Sequence, residues 1–358
     1  MKKRNVVTIF LIFFLLIGIA GCKKKEVEDN ENEKNNQTMN ETNDDENEDV
    51  SEKEKTYDHV YPLTGIETND DIDHRVIGVM INNHPAARPQ SGLSKADIVF
   101  EILAEGSTTR FLALFHSELP DVVGPVRSAR EYYFELAKDY NAVYVYHGAA
   151  DHINDMIITR GIEHLNGSQH DNDQKLFKRE SFRKAPHNSY LLMDNVYDFA
   201  SQKGYDITDR IEPFEFLDED EKLPEDKTGT YAKIGYIADQ PHHTVEYKYN
   251  EQNGSYNRIS DGEQAKELSD ESPVQAHNVF IIETSHQVID EEGRRAIDLK
   301  SNGQGILLQN GHRQDVTWKN RDGVIVPVKE GEIIPFIPGK TWVNVVPSIA
   351  ESVEVIGE

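Results

Sequence analysis

Cysteine, tryptophan and basic side chains are scarce in this chain of 358 residues. Cysteine occurs once and tryptophan twice, and 38 basic residues stand against 64 acidic ones, which gives a formal net charge of −26. A single cysteine excludes an internal disulfide. Because nucleic-acid binding depends on basic surface, we expect no nucleic-acid partner. The sequence also lacks the Gly-x-Ser-x-Gly, His-Glu-x-x-His and phosphate-loop motifs of common enzyme classes.

One long hydrophobic run is present, VVTIFLIFFLLIGIA at residues 6–20, and it follows a short basic start. A basic segment, an apolar core and small residues before a cleavage point are typical of a secretory signal peptide. About 15 apolar residues are too few for a stable spanning helix. The run leads into Ile-Ala-Gly-Cys, which resembles the lipobox of bacterial lipoproteins. Residues 1–22 are therefore predicted to be a lipoprotein signal peptide that ends at a lipidated Cys22.

Lipidation also predicts where the protein resides. The lipobox product carries at least two acyl chains of the palmitate type, and two chains anchor a protein stably. We therefore expect a location at the cell membrane, lipid-anchored on the extracytoplasmic face. Residues 23–56 contain 13 acidic and 6 basic residues and no aromatic side chain. Such a segment buries too little apolar surface to fold, so it is predicted to be a disordered acidic tether with a reach of roughly 30–35 Å.

The remainder of the chain predicts two domains. Residues 57–358 hold 51 acidic and 29 basic residues, a net charge of −22, and about 300 residues suit two cores better than one. The charged stretch FEFLDEDEKLPEDKTGT marks a break. Strand and helix patterns mix before it, and alternating strand patterns dominate after it. We predict an α+β fold: a mixed α/β domain at 57–213, a linker at 214–229 and a mainly antiparallel β domain at 230–358.

Four local patterns give finer predictions. REYYFELAKDY predicts a helix that starts at the arginines of GPVRSAR (124–130), and DNVYDFASQKGY (194–205) predicts a second helix with Asp194 as its N-cap. GEQAKELSD (262–270) is the only helical pattern of the second domain. The GQG at 303–305 lacks a following helix, so we interpret it as a hairpin turn and not as part of a dinucleotide loop.

Several stretches resemble a known family. They are PLTGIE (62–67), NNHPAARPQSGLSKADIVFEILAEGSTTRFLALF (82–115), GPVRSAR (124–130) and KAPHNSYL (184–191), followed by AHNVFIIET, GQGILLQNG, TWKN and IPGKTWVNVVP. In this order they resemble the YerB-type bacterial lipoproteins, over nearly all of residues 60–347. The resemblance implies a two-domain envelope lipoprotein with uncharacterised domains. It carries over no catalytic residue.

Arg127 and Arg130 form the first candidate site. Three positions apart on a helix, they would share one face beside the free N–H groups of the first turn, an arrangement suited to anions. Guanidinium groups bind carboxylate or phosphate with two hydrogen bonds. Two interpretations stay open. In one, an internal carboxylate neutralises the arginines, with Glu101, Glu105 and Asp121 as candidates. In the other, they bind an external anion together with Arg110 and His187, such as a peptidoglycan carboxylate or a lipid-linked phosphate.

The carboxylates Glu101 and Glu105 are candidate acid–base groups. Strand alternation places them on one face, roughly 13 Å apart, which is too far for a typical glycosidase pair unless the chain bends. His187 and Asn188, within an extended Pro-His-Asn segment, are candidates for an acid–base or pocket role.

A metal site is a further alternative. His147, Asp151 and His152 form HGAADH, a spacing that could supply imidazole and carboxylate ligands to Zn²⁺ at the end of a strand. No further ligand is assured by the sequence. We therefore predict no metal and no cofactor.

Two functions are compatible with these features. The first is a membrane-anchored lipoprotein that serves as a binding or scaffold module, with peptidoglycan or membrane-bound wall-synthesis proteins as partners. The alternative is a cell-envelope hydrolase or transferase that acts on a glycan or phosphodiester through an arginine-lined anion pocket. The absence of a recognisable nucleophile favours the first, and whether the protein is an enzyme stays open.

Overall fold

The computed structural model describes residues 56–212, 214–218, 227–237 and 244–356. The predicted signal peptide, Cys22, and all but the last residue of the predicted tether lie outside this part of the chain. So does the middle of the predicted linker. Within the described ranges, no helix is long and apolar enough to cross a membrane.

The first half of the described chain mixes helices with strands. Three short 3-10 turns, at Pro85–Ala87, Leu93–Lys95 and Met193–Asn195, connect some of them. The elements are β1 (His59–Val60), β2 (Glu67–Thr68), β3 (Ile77–Asn82), β4 (Ile98–Glu105), β5 (Thr108–Phe115), β6 (Val122–Val123), α1 (Glu131–Asp139), β7 (Val143–Tyr146), α2 (Asp151–Thr159), β8 (His164–Asn166), β9 (Phe177–Arg179), β10 (Ser189–Leu192) and α3 (Val196–Gln202).

The second half is mostly strand, and the described chain as a whole is therefore a mixed fold that is mostly β. Its elements are β11 (Lys227–Thr228), β12 (Tyr231–Gly235), β13 (Thr244–Asn250), β14 (Ser255–Ser260), β15 (Glu263–Gln264), β16 (Gln275–Ala276), β17 (Asn278–Glu283), β18 (His286–Val288), β19 (Arg295–Ile297), β20 (Asn302–Gln309), β21 (His312–Arg321), β22 (Val324–Lys329), β23 (Glu332–Ile333), β24 (Thr341–Val346), α4 (Ile349–Ser352) and β25 (Val353–Ile356).

A twelve-stranded sheet runs through both sequence halves. Its order is β23-β22-β21-β20-β17-β24-β4-β5-β3-β7-β8, with β11 added beside β21. Strand β24 lies between β17 and β4 and is parallel to both. The break expected at 214–229 therefore does not coincide with a break in the sheet, and the described residues form one compact unit.

Each face of this sheet carries its own apolar core. One face packs against α3, β10 and a six-stranded sheet of β12–β16 and β25, through side chains such as Val79, Val99 and Tyr247. The other face packs against α1 and α2, through side chains such as Leu112 and Tyr133. Strands buried on both faces read as continuous apolar runs, which explains sequences such as IGVMIN in β3.

Three local predictions are wrong. Residues 262–270 form turns and the short strand β15 instead of a helix, because Ala265 N–H donates to the Arg258 carbonyl within the six-stranded sheet. The GQG lies inside β20, where a Cβ on Gly303 would come within 2.6 Å of the Glu283 carbonyl oxygen. Asp194 is not an N-cap, since α3 begins after Asn195 without a side-chain cap.

Candidate functional site

Three neighbouring parallel strands end at one edge of the large sheet. Strand β3 is parallel to β7, and β7 to β8. Asn82 ends β3, His147 follows β7, and Asn166 ends β8. Helix α2 starts just after β7, and the Ala129 N–H, shortly before α1, donates to the Gly148 carbonyl. The N-termini of both nine-residue helices, which lack side-chain caps, therefore lie at this edge, where open α/β sheets tend to place ligands.

The GPVRSAR stretch crosses this edge as extended chain. The N–H of Arg127 donates to the Met80 carbonyl, and the His147 N–H donates to the Arg127 carbonyl. Arg130 is the N-cap of α1, with φ −141° and ψ 155°, and the helix begins at Glu131. The prediction that Arg127 and Arg130 share a helix face is therefore wrong. The backbone of this segment forms hydrogen bonds with β3 and with the residue that follows β7, so it is extended and not helical.

Glu105 neutralises two of the three candidate arginines. Its Oε2 accepts a hydrogen bond of 2.7 Å from Nη2 of Arg110, which is 4% exposed. Its Oε1 forms an ion pair with Arg130. Arg110 also donates to the Ser128 carbonyl at 3.0 Å. For Arg110 and Arg130, the internal carboxylate is the arrangement that the structure shows.

Arg127 differs from these two arginines. No carboxylate of the described residues lies within ion-pair distance of its guanidinium, and no side-chain hydrogen bond engages it. Burial and the charge of Arg110 lower the pKa of Arg127 to about 10, so the group remains protonated at neutral pH. A half-buried cation without an internal counter-charge is an attractive position for an external anion.

Two histidines stack on each other near the end of β3. The rings of His84 and His187 are 4.6 Å apart with an interplanar angle of 27°. Nδ1 of His187 lies 2.9 Å from Nδ2 of Asn82, which fixes the ring. Burial and the charges of His84, Arg127 and Arg183 lower the pKa of His187, so it is neutral near pH 7.

A third histidine, His147, directly follows β7 at this edge. Nδ1 of His147 is 2.8 Å from Oγ of Ser189, and its Nε2 is 3.4 Å from Nη2 of Arg179. Burial and the charge of Arg179 lower the pKa of His147, and Arg127 acts in the same direction. Asn188, a predicted site residue, accepts a hydrogen bond of 2.8 Å from Arg179 and so orients that arginine.

Glu101 belongs to a different part of the molecule. The pairing register of β4 and β5 shifts between Leu103 and Glu105, so the two glutamates do not share a face. Glu101 is fully buried, and its Oε2 accepts a hydrogen bond of 2.8 Å from Arg258 of β14. The expected common face assumed regular alternation, which this irregularity interrupts.

The structure does not bring together the alternative metal ligands. Among the described residues, no three or more His, Cys, Asp or Glu side chains are grouped so that they could hold an ion. Asp151 and His152 are exposed at the start of α2, and His147 is engaged by Ser189 and Arg179.

Sequence reasoning missed several residues of the site. Asn82 and His84 come from the NNHP stretch, and Arg183 and Ser189 flank the APHN stretch that was recognised. A cleft of about 620 Å³ opens beside His84 and is also lined by Arg88. Another cavity, of about 440 Å³ around Tyr140 and Phe336, contains none of the candidate site residues. Asn82, His84 and Ser189 could have been found from their place in the stretches that carry the family resemblance, whereas Arg183 lies just before such a stretch.

Comparison with known proteins identifies the family. Models described as "Protein of unknown function (DUF3048)" match the chain twice, the N-terminal domain at residues 63–206 and the C-terminal domain at 233–343. The Bacillus subtilis (strain 168) protein named "Putative lipoprotein YerB" is 44% identical over 289 residues, which are 80% of this chain and 86% of that protein. The crystal structure of YerB from Bacillus subtilis is 41% identical with a TM-score of 0.77, and the match covers 83% of this chain and 99% of the crystallised one. This chain therefore belongs to the DUF3048 family and is a relative of YerB.

Proposed function

We propose that the protein is a membrane-anchored extracytoplasmic lipoprotein whose globular part binds an anionic component of the cell envelope. The site is the edge formed by the ends of β3, β7 and β8. One observation carries the proposal: Arg127 is half-buried among charged and polar groups and has no counter-charge within the described chain. Arg110 and Arg130 both pair with Glu105, so their charges are neutralised internally and Arg127 is the arginine that would bind the ligand.

The anchor rests on the sequence. The apolar run before Cys22 and the lipobox-like Ile-Ala-Gly-Cys support lipidation, and the name of the Bacillus subtilis relative agrees with it. An acidic tether would then hold the globular part within roughly 30–35 Å of the membrane, at the depth of membrane-bound wall precursors and of the inner wall.

The ligand classes that suit this location are peptidoglycan peptides, with free carboxylates, and phosphate-bearing wall precursors or polymers. Membrane-bound wall-synthesis proteins could deliver either. The cleft beside His84 offers space for the uncharged part of such a ligand.

A hydrolase or transferase is the second candidate, because Ser189 and His147 are in hydrogen-bond contact. The tautomer argues against it. A guanidinium can only donate, so the contact with Arg179 makes Nε2 of His147 the acceptor and places the proton on Nδ1. His147 then donates to Ser189 and cannot remove its proton. Glu105, the other candidate base, is held by two arginines. These contacts favour binding.

The test is recovery of envelope material by the full-length tagged protein. Detergent-solubilised membranes and purified wall fragments are passed over immobilised wild type and an Arg127→Gln variant. We expect the variant to recover at least about tenfold less of the bound component, since a charge-assisted contact is lost. Addition of salt should reduce the recovery of the bound component by the wild type more than the recovery by the variant.

Arg210→Gln is the matched control. Arg210 is an exposed arginine that lines the cavity around Tyr140, and this cavity is not part of the proposed site. Equal recovery by wild type and Arg127→Gln would contradict the anion site. Release of a soluble product from wall fragments by wild type, but not by Ser189→Ala or Glu105→Gln, would establish the enzyme instead.

A further inference from the structure

We propose that Arg183 is a second anion-binding residue at this edge and that the ligand is a phosphate compound with at least two negative charges. The inference rests on the proposed function and adds to it a residue and a ligand class. Arg183 donates to the carbonyl of Pro89, which lines the cleft beside His84.

Arg183 is a half-buried arginine that the protein holds without a carboxylate. Its Nη1 donates to the Tyr190 hydroxyl at 2.6 Å, and its Nη2 donates to the Pro89 carbonyl at 2.5 Å. The ring of Phe182 lies 5.3 Å from its guanidinium carbon. No acidic side chain of the described residues forms an ion pair with it. Neutral acceptors therefore fix the direction of the group and leave its charge uncompensated.

Arg127 and Arg183 both act on the same ring. Each of them contributes to the lowering of the pKa of His187, which places both charges within electrostatic reach of that imidazole. Lys178 and Arg179, which are close to Arg183 in sequence, are paired with Glu180 and Asp171. Arg183 differs from them because no carboxylate of the described residues pairs with it.

The two stacked histidines add hydrogen-bond donors. The Ala86 N–H donates to Nδ1 of His84 at 3.1 Å, so neutral His84 carries its proton on Nε2. Oδ1 of Asn82 accepts from the His84 N–H at 3.0 Å, which assigns its Nδ2 as the donor to Nδ1 of His187. Neutral His187 therefore also carries its proton on Nε2. No described side chain or backbone group accepts from either Nε2–H.

The resulting set is rich in donors and has no acceptor. Two guanidinium groups that each donate two hydrogen bonds, together with two imidazole N–H groups, supply about six donors, which exceeds the roughly four lone-pair positions of one carboxylate. A phosphate has three or more acceptor oxygens and a larger charge. Two cations that both act electrostatically on His187, together with the two Nε2–H donors, suit a diphosphate or successive phosphodiesters better than a single monovalent group.

The experiment measures binding to full-length protein in a neutral detergent by titration calorimetry. The probes are farnesyl diphosphate, a glycerol-phosphate oligomer and a muramoyl pentapeptide that carries only carboxylates. We expect at least one phosphate probe to bind more tightly than the peptide. Tighter binding of the diphosphate would indicate a lipid-linked precursor, and tighter binding of the oligomer a phosphodiester polymer.

Variants separate this inference from the anion site itself. Arg183→Gln should lower the affinity for the phosphate probe about tenfold. Arg183→Lys should retain part of that affinity, and Arg210→Gln should leave it unchanged. Thermal unfolding of each variant checks that it folds. If Arg127→Gln weakens binding but Arg183→Gln does not, the anion site stands and this inference fails. If the peptide binds best, or if no probe binds, the inference also fails, and an Arg127→Gln variant with wild-type affinity would remove both proposals.

Discussion

At the scale of single residues, Asp97 and His116 form a pair with opposed titrations where β4 begins and β5 ends. Oδ2 of Asp97 accepts from the His116 N–H at 2.6 Å and from the Ser117 N–H at 2.9 Å. Burial raises the pKa of Asp97 to about 6, although these hydrogen bonds oppose the change. Burial and the neighbouring ring of His74, 4.3 Å away, lower the pKa of His116 to about 4.

These shifts predict offsetting effects of pH on stability. A raised acid pKa favours the folded state below pH 4, and this contribution is lost as the pH rises through about 6. A lowered histidine pKa favours the folded state above pH 6.5, and this contribution is lost as the pH falls through about 4. In Asp97→Asn, the free energy of unfolding should rise from pH 4 to 6.5, and in His116→Gln it should fall over the same range.

Urea unfolding at pH 4.5, 5.5 and 7 measures both profiles against the wild type, in which the two contributions oppose each other. Three parallel profiles would show that neither group titrates as its burial requires.

The arginines show what sequence could reveal about individual residues. The stretch GPVRSAR was recognisable as a candidate anion site, and Glu105 was among the named partners. The division of roles was not recognisable, because it depends on the extended path of Arg127 and on the register shift before Glu105. The path of Arg127 depends on β3, β7 and β10, which are far away in sequence, and the register shift depends on an irregularity in the β4–β5 pairing that the sequence does not reveal.

At the scale of elements, a buried ion pair joins the six-stranded sheet to the large sheet. Arg258 of β14 donates to Glu101 of β4, and both side chains are at most 2% exposed. The guanidinium carbon lies 5.1 Å from the ring of Phe111 and 4.6 Å from that of Trp342. Asn83 and Thr109 satisfy the other carboxylate oxygen. Both oxygens of the carboxylate therefore accept hydrogen bonds, while Nε of Arg258 has no hydrogen-bond partner among the described residues.

Loss of one partner of the Glu101–Arg258 pair should lower the free energy of unfolding strongly. Arg258→Met leaves a buried charge on Glu101 and should lower the free energy of unfolding by about 3–5 kcal/mol. The double variant Glu101→Gln/Arg258→Met should lose less than the sum of the single changes, because no unpaired charge remains. Arg321→Met is the control, since its pair with Glu215 is exposed and contributes less than about 1 kcal/mol. Additive losses in the double variant would argue that the two residues do not act as a pair.

The elements themselves were predictable to different degrees. Helix α1 was predicted within its sequence pattern because an amphipathic stretch packs directly onto the sheet. The segment at 262–270 has good helix formers, yet Glu267 reaches the Gly92 N–H at 2.6 Å and the Ser94 hydroxyl at 3.0 Å. These tertiary contacts outweigh a propensity of a few tenths of a kcal/mol per residue.

At the scale of the whole molecule, charge and anchoring belong together. A globular part with a net charge of −22 is repelled by an anionic leaflet, so its own surface does not hold it there. The membrane attachment that we propose therefore depends on Cys22 and its acyl chains.

Replacement of Cys22 by Ala should release the protein from the membrane. The variant should lose incorporation of a palmitate analogue and move to the soluble fraction after cell fractionation. An exposed substitution such as Arg210→Gln should leave both unchanged. A Cys22→Ala variant that still takes up the label would show that another residue carries the lipid.

The position of β24 has a consequence for the order of events during the export that we propose. Residues 341–346 fill the gap between β4 and β17, although β4 leaves the translocation channel more than 200 residues earlier. Until then, one edge of β4 has exposed backbone N–H and C=O groups that could pair with other chains. Closure of the sheet must therefore wait until nearly the whole chain is outside, a stage at which folding catalysts and quality-control proteases of the envelope have access to an incomplete β-sheet.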